Sequence, residues 1–400
     1  MLKKVRIKDL GKIITGNTPP TTTRAFYGDF RPFIKATDIT DSKYTLSTEE
    51  GYSEFAYEKY KKNLVPKGAT CVVTIGTVGK KITMAHTELF VNQAINAVIP
   101  YSKYDADYVY YLLKYNLSQL KMLDSGTASG RENISKSSFS NIIVFAEEER
   151  ILQQKIGQML SNYDLAIENN NKRIKKLEQM VENLYKEWFV RFRFPNHEGT
   201  TIENGIPLGW KLYKISEICD INKSSLRKTD CIDVINYLDT GSLNENIING
   251  LEEYQIYDAP SRAKRKAKKN SILFSTVRPI LKHYGIIKKV PNNMIVSTGF
   301  AVLDAKYDIS NIIYLFVSSD EVRSYCQTIA EGAVATYPTI RPEEIGRIKI
   351  ALPPLEEAER LNKLLEPYFL MRQRLVDINT NLINQRDLLL PRLMSGKLEV

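Results

Sequence analysis

The sequence predicts an α+β protein: two similar α/β domains separated by two long antiparallel coiled-coil helices, with an internal pseudo-two-fold repeat. Three observations carry this. The chain has 400 residues, too many for one hydrophobic core. The order of its elements repeats after about 205 residues. Each half ends in a long segment whose apolar residues recur at alternating steps of four and three. The domain boundaries that follow are 1–146 and 195–352, with helices over 147–194 and 353–400.

The repeat is one of element order rather than residue identity. Val5–Ile13 and Trp210–Ile218 each read as a short strand leading into a one-turn helix. Pro66–Thr70 precedes the apolar strand Val72–Ile75, as Lys268–Ser271 precedes Ile272–Phe274. Val91–Val98 matches Val296–Leu303. A tyrosine-rich amphipathic helix follows, near Tyr108–Leu123 and near Ile312–Ile329, then a loop, Ser125–Gly130 or Glu331–Thr336. A strand closes each half, Asn141–Phe145 and Arg347–Leu352. One scaffold with diverged surfaces suits two different specificities.

Glu147-Glu148-Glu149 puts negative charge at the start of the first long helix, which suits the positive end of its dipole. Its seam runs Ile156, Leu160, Tyr163, Ile167, Asn170, Ile174, Leu177, Val181, Leu184 and Trp188. Asn170 is polar where an apolar residue belongs. Such a residue either fixes register at a cost in stability or, within Asn169-Asn170-Asn171, breaks the helix. The second helix starts at Pro353-Pro354-Leu355, and its seam reads Leu364, Tyr368, Met371, Leu375, Ile378, Leu382, Gln385 and Leu389. Pro367 is expected to kink its first turns. The first helix delivers the chain to the second domain, so a paired second helix must run back. A helix of roughly 35 residues spans about 50 Å. One turn of DNA is about 34–36 Å.

Composition narrows the function. The chain is 43% hydrophobic and 26% charged, and its net charge of +10 favours a polyanionic partner. Apolar runs such as Cys71–Ile75 suit buried strands and are far too short to span a membrane. Met1-Leu2-Lys3-Lys4 is followed by no signal-peptide apolar stretch, so a cytoplasmic location is expected. Cys71, Cys219, Cys231 and Cys326 form no CxxC pair, and His86, His197 and His283 are widely separated. Buried thiols in a reducing compartment are therefore expected, with no metal and no catalytic residue. GxSxG, HExxH and the nucleotide-binding glycine fingerprint are missing from the sequence, as are methyltransferase and helicase motifs.

Gly16-Asn17-Thr18-Pro19-Pro20, Tyr27-Gly28, Pro32-Phe33-Ile34-Lys35 and Asp38-Ile39 resemble the start of a target recognition domain of a type I restriction-modification specificity subunit. Asn92-Gln93, Leu184–Phe189, Pro207-Leu208-Gly209-Trp210, Leu352–Glu357 and Pro391–Leu398 extend the resemblance over nearly the whole chain. It departs from the family at Phe145-Ala146, where a Pro-Leu-Pro helix start is absent. The resemblance implies a non-catalytic subunit that binds double-stranded DNA in a complex with adenine-N6 methyltransferase (modification) subunits and with translocating endonuclease (restriction) subunits. Each recognition domain would read one half of a bipartite target. S-adenosylmethionine, ATP and magnesium would belong to the partners and not to this chain.

Loop chemistry ranks the candidate DNA contacts, since phosphates select Lys, Arg, Ser and Thr, and base edges select Arg, Asn, Gln, Ser and Thr. In the first domain these are Thr18, Thr22, Arg24, Lys35, Thr77, Lys80, Lys81, Arg131, Asn133 and Lys136. In the second they are Lys223, Arg227, Lys264, Arg265, Lys266, Arg278, Lys282, Tyr337, Thr339 and Arg341. Arg262–Lys269 is the densest basic run of the chain; such a run is ordinarily a solvated face. A nuclease would need clustered acidic residues in these domains, and a purely structural adaptor would show no steep salt dependence on DNA. If the helix pair is a ruler, inserting one heptad into each helix lengthens the gap between half-sites in the methylated motif. An unchanged gap overturns the ruler.

Overall fold

A computed structural model describes residues 2–122, 132–195, 197–227, 229–332 and 338–399. The chain divides into two compact units, Met1–Asn171 with Asp377–Val400, and Lys172–Val376. Each unit holds one globular domain and a portion of each long helix.

In the first unit a four-stranded antiparallel sheet runs Gly11–Thr15, Ile95–Pro100, Thr70–Val73, Ile82–Met84. Thr70–Val73 is buried on both faces, as a short β-branched run predicts. A second sheet runs Glu50–Tyr52, Tyr27–Ile34, Phe90–Val91, and its last pair is parallel. The opening strand Leu2–Arg6 pairs with the closing strand Ile143–Glu147. The tyrosine-rich segment is two helices, Ala106–Tyr115 and Leu117–Lys121, with Tyr108, Tyr110 and Tyr111 fully buried.

The second unit repeats this plan. One sheet runs Cys219–Ile221, Phe300–Ala305, Ile272–Ser275, Tyr284–Ile286. The other runs Glu252–Gln255, Val234–Leu238, Met294–Ser297, Ala263–Lys266, again with one parallel pair. Lys211–Lys214 pairs with Lys349–Leu352, and the helical segment is Ser310–Val317 plus Asp320–Gly332.

The first long helix is Arg150–Tyr185 with a π-helical end at Lys186–Val190; the second is Leu355–Met394, unbroken at Pro367. Within the first unit Asp164 meets Arg386 and Asn170 meets Asn379, so the two helical portions are antiparallel there. Within the second unit Glu178 meets Arg372 at 2.6 Å. Asn170 is 8% exposed, its Nδ2 donates to Asn379 Oδ1 at 2.8 Å, and Asn379 Nδ2 donates to Asn171 Oδ1 at 2.8 Å. The asparagine cluster lies inside continuous helix and forms a polar layer rather than a break.

The seam of the second helix is not the one its apolar spacing suggests. Ile378 is 41% exposed, Leu364 and Met371 also face solvent, Gln385 is exposed, and Leu382 and Leu389 are only partly buried. The buried face runs Leu361, Leu365, Phe369, Arg372, Leu375, Asn379, Arg386, Leu390 and Leu393. Three of these residues are polar and meet polar partners on the first helix. Following apolar residues alone therefore shifts the phase. In the first helix Ile174 and Val181 are buried, Asn170 joins them, and Ile167, Leu177 and Leu184 are partly buried.

Each globular core closes on helix residues. Ile156, Leu160, Leu390, Leu393 and Met394 belong to the cluster around Tyr108–Leu113. Val181, Tyr185, Trp188, Leu361, Leu365 and Phe369 belong to the cluster around Ile312–Val317. One side chain holds the start of the domain helix in each unit: Gln153 Oε1 accepts from Asp105 N at 2.8 Å, and Asn362 Oδ1 accepts from Asn311 N at 2.9 Å. Gln153 and Asn362 are 209 residues apart, as are Asn170 and Asn379. At Gly157 a Cβ would lie 2.8 Å from Asp105 Oδ1, so the helix needs glycine to approach that cap.

Asp164 also accepts from Tyr111 Oη, and Asp164 and Arg386 are both buried. Asp164→Ala removes the buried partner of Arg386 and of Tyr111 and leaves the guanidinium only the half-exposed Asp387, 2.8 Å away, and should cost about 3–5 kcal/mol. The double variant Asp164→Leu/Arg386→Met should recover most of that loss in urea unfolding followed by circular dichroism. A double variant no more stable than the single one contradicts this account.

Candidate nucleic-acid interface

In the first domain the strand Thr70–Val73 runs into a turn at 74–81 held by its own backbone. Gly76 has φ +92°, which only glycine adopts without strain. Its N–H donates to Glu132 O at 2.9 Å, Ile134 N donates to Thr74 O at 2.9 Å, and Val78 N donates to Glu132 Oε2 at 3.1 Å. The turn is thereby bound to the loop 132–136. The loop from Gly16 is fixed by Asn17 N to Val91 O at 3.0 Å and by Thr18 Oγ1 donating to Gln93 Oε1. Beneath these loops Thr15 Oγ1 donates to Asn96 Oδ1 at 2.6 Å, and Asn96 Nδ2 donates to Thr74 Oγ1 at 2.8 Å. Four segments, around 16–24, 74–81, 92–94 and 132–136, are joined in this way.

The second domain builds the same joint. Ile340 N donates to Thr276 O at 2.9 Å, and Arg278 N donates to Pro338 O at 3.0 Å. The bridges Ile75–Asn133 and Val277–Thr339 are equivalent. Arg278 has φ +46°, left-handed like Gly76 although it is not a glycine.

This geometry holds polar loop side chains on a backbone frame, and among the described residues no group of His, Cys, Asp and Glu could hold a metal ion. The model of the type I restriction modification DNA specificity domain matches residues 2–179 and again 207–385. The chain belongs to the type I restriction modification DNA specificity family. It is 24% identical to the specificity subunit of the type I restriction enzyme MjaIX of Methanocaldococcus jannaschii, over 99% of this chain and 93% of that one. It is 30% identical to the HindI specificity subunit of Haemophilus influenzae over 44% of this chain and 39% of that one. Its fold is similar to a crystal structure of a type I specificity subunit from M. genitalium, with TM-score 0.61, 14% identity and coverage of 98% and 96%.

Within this specificity chain the candidate contacts divide by environment. Thr22, Arg24, Thr77, Lys80 and Lys136 are exposed on the joined loops of the first domain, with Thr18 and Asn133 partly buried. Lys35 and Lys81 are engaged elsewhere. Lys35 Nζ lies 3.1 Å from Glu49 and 3.0 Å from Glu50, and Lys81 Nζ donates to Ala36 O at 2.8 Å. Burial disfavours the Lys35 charge, yet hydrogen bonds to Glu50 and Glu49 hold its pKa above the usual value. Within this chain both ammonium groups already have partners. Arg131 and Tyr337 lie outside the described residues.

In the second domain Lys223, Lys266 and Lys282 each form an ion pair at 2.7 Å, with Asp220, Asp230 and Glu245. Part of the basic run is a strand, Ala263–Lys266, with a bulge after Ala263; it pairs with Met294–Ser297 on one side and is bridged by Ser225 at Arg265 on the other. Lys264 is exposed, whereas Arg265 is half-buried, burial lowers its pKa, and its Nε lacks a partner. Arg227, Arg278, Thr339 and Arg341 are exposed.

Loop chemistry alone passes over a helix that the structure adds to the first loop. Phe55 of Glu54–Tyr60 stacks on Phe26 at 5.3 Å, and Lys59 Nζ sits 4.6 Å from the Phe26 ring centroid. The signal is present as the aromatic and basic alternation Phe55–Lys62. Replacing Lys80 and Lys136 together with Ala should reduce the slope of log K against log salt by about 2, with equal loss for all sequences. Titrations at several salt concentrations check it; an unchanged slope removes both residues from the phosphate contacts.

Proposed function

We propose that each globular domain of this chain reads one half of a bipartite, asymmetric DNA target, and that the chain thereby directs adenine-N6 methylation and DNA cleavage carried out by partner subunits. The observation that carries this reading is the duplicated joint: one backbone frame at 74–81 with 132–136 and again at 276–282 with 338–341, bearing different side chains. A frame used twice with different chemistry is what two readers of unlike half-sites need. The net charge of +10 supplies the sequence-independent attraction to phosphate.

The partners in this reading are modification subunits that bring S-adenosylmethionine and restriction subunits that use ATP and magnesium. The chain supplies the address and binds none of these cofactors. The complex works in the cytoplasm; among the described residues no helix is long and apolar enough to cross a membrane.

Genome-wide adenine methylation in cells expressing this chain with its methyltransferase partner tests the proposal. A motif of two specific blocks separated by a fixed gap should be present and should vanish when the chain is deleted. Arg341→Ala should relax or weaken the block read by the second domain and leave the other intact. Methylation that persists without the chain removes it as the reader.

A further inference from the structure

We propose that the turn Arg278–Lys282 of the second recognition domain is an apolar wedge that enters its half-site and unstacks one base step. The proposal rests on the reading above, in which this face binds DNA.

Two adjacent apolar side chains stand out from this turn: Ile280 is 46% exposed and Leu281 is 48% exposed. They are not on a floppy loop. Pro279 is buried and starts the one-turn helix Pro279–Leu281, and both flanking residues, Arg278 and Lys282, are left-handed, with φ +46° and +62°. Arg278 N donates to Pro338 O, Leu281 N donates to Arg278 O at 2.9 Å, and Ile280 N donates to Gln327 Oε1 at 3.3 Å. Lys282 is tied to Glu245 at 2.7 Å. The backbone holds strained residues in place, and the turn presents two neighbouring branched side chains that are each about half exposed.

The first domain treats the same turn differently. There it contains Gly76 and Gly79, both at positive φ, and its apolar residue Val78 is fully buried, leaving Thr77 outermost. The apolar side chain points in at one domain and out at the other, so packing does not require the outward placement.

The rim identifies the occupant. Arg278 and Lys282 flank the two apolar tips, and the loop bound to the turn carries exposed Thr339 and Arg341. Arg278, Thr339 and Arg341 beside the apolar tips match a base step next to the phosphate backbone, while Lys282 is held by Glu245. Ile, Leu and Pro side chains inserted between base steps from the minor groove partly unstack them and kink the duplex toward its major groove. The turn is continuous with the proposed DNA face, so an occupant of that face reaches it.

The test uses the full chain assembled with its methyltransferase partner, and duplexes carrying the motif found by methylation mapping. A fluorescent base analogue, 2-aminopurine or pyrrolocytosine, replaces one base at a time at positions other than the methylated adenine. The expected result is a severalfold rise on binding at one step of the second domain's half-site and none in the other half-site. Ile280→Ser/Leu281→Ser should return that signal to the free-duplex level while the thermal melt and recognition of the first half-site stay as in the unaltered chain. Tight binding with no rise at any position overturns the wedge and leaves the specificity reading standing. A double variant that keeps the rise also overturns it. A variant that binds DNA normally but loses its partner subunit makes the turn a protein contact and overturns it too. Failure of the unaltered complex to bind either half-site overturns the specificity reading and the wedge together.

Discussion

Leu160 of the first long helix and Leu393 of the second meet the helix Ala106–Tyr115 in one buried cluster. Phe369 and Val181 do the same for the helix Ser310–Val317. Each globular domain thus completes its core only with side chains that arrive on both long helices. The arrangement binds fold to topology: the second helix contributes to the first domain's core although the whole second domain intervenes in the chain. Remove the C-terminal turns and the first core is opened, not merely shortened, with the cavity penalties that apply to lost Leu and Met side chains.

The polar contacts refine this shared burial rather than drive it. Asn362 accepts from the first N–H groups of the helix Ser310–Val317, and Gln153 holds the N–H of Asp105, whose own side chain caps the helix Ala106–Tyr115. Lys43 and Lys288 are buried against the helices, Lys43 meeting Ser161 and Lys288 meeting Glu366 at 2.6 Å. Burial lowers the pKa of Lys288, opposed by its hydrogen bond to Glu366. Buried ions and amides of this kind tolerate few alternative packings, so they fix the angle at which each domain meets its helices.

Much of this was legible in the sequence. The repeat of element order, the first helix seam and the basic excess were each readable from local pattern. The second seam was not, because Arg372, Asn379 and Arg386 occupy positions that periodicity reserves for apolar residues, and only their partners explain them. The candidate contacts could be ranked from the sequence by chemistry but not by geometry. Lys35 and Lys81 look like any loop lysine until Glu49, Glu50 and the Ala36 carbonyl are found beside them. Arg262–Lys269 reads as a solvated charge run, whereas Ala263–Lys266 is a strand paired with Met294–Ser297 and bridged by Ser225.

Among the described residues, the hydrogen bonds between turn and loop named above run main chain to main chain, except that Val78 N donates to Glu132 Oε2. Thr77, Lys80, Asn133, Ile280, Thr339 and Arg341 consequently sit where substitution alters the surface without breaking the frame that displays it. A protein normally risks stability with each change of specificity, since most substitutions destabilise. Under the proposed function, stability and recognition are carried by different atoms of the same residues. Such a chain can acquire a new address by drift at its loop tips while its folding is left untouched.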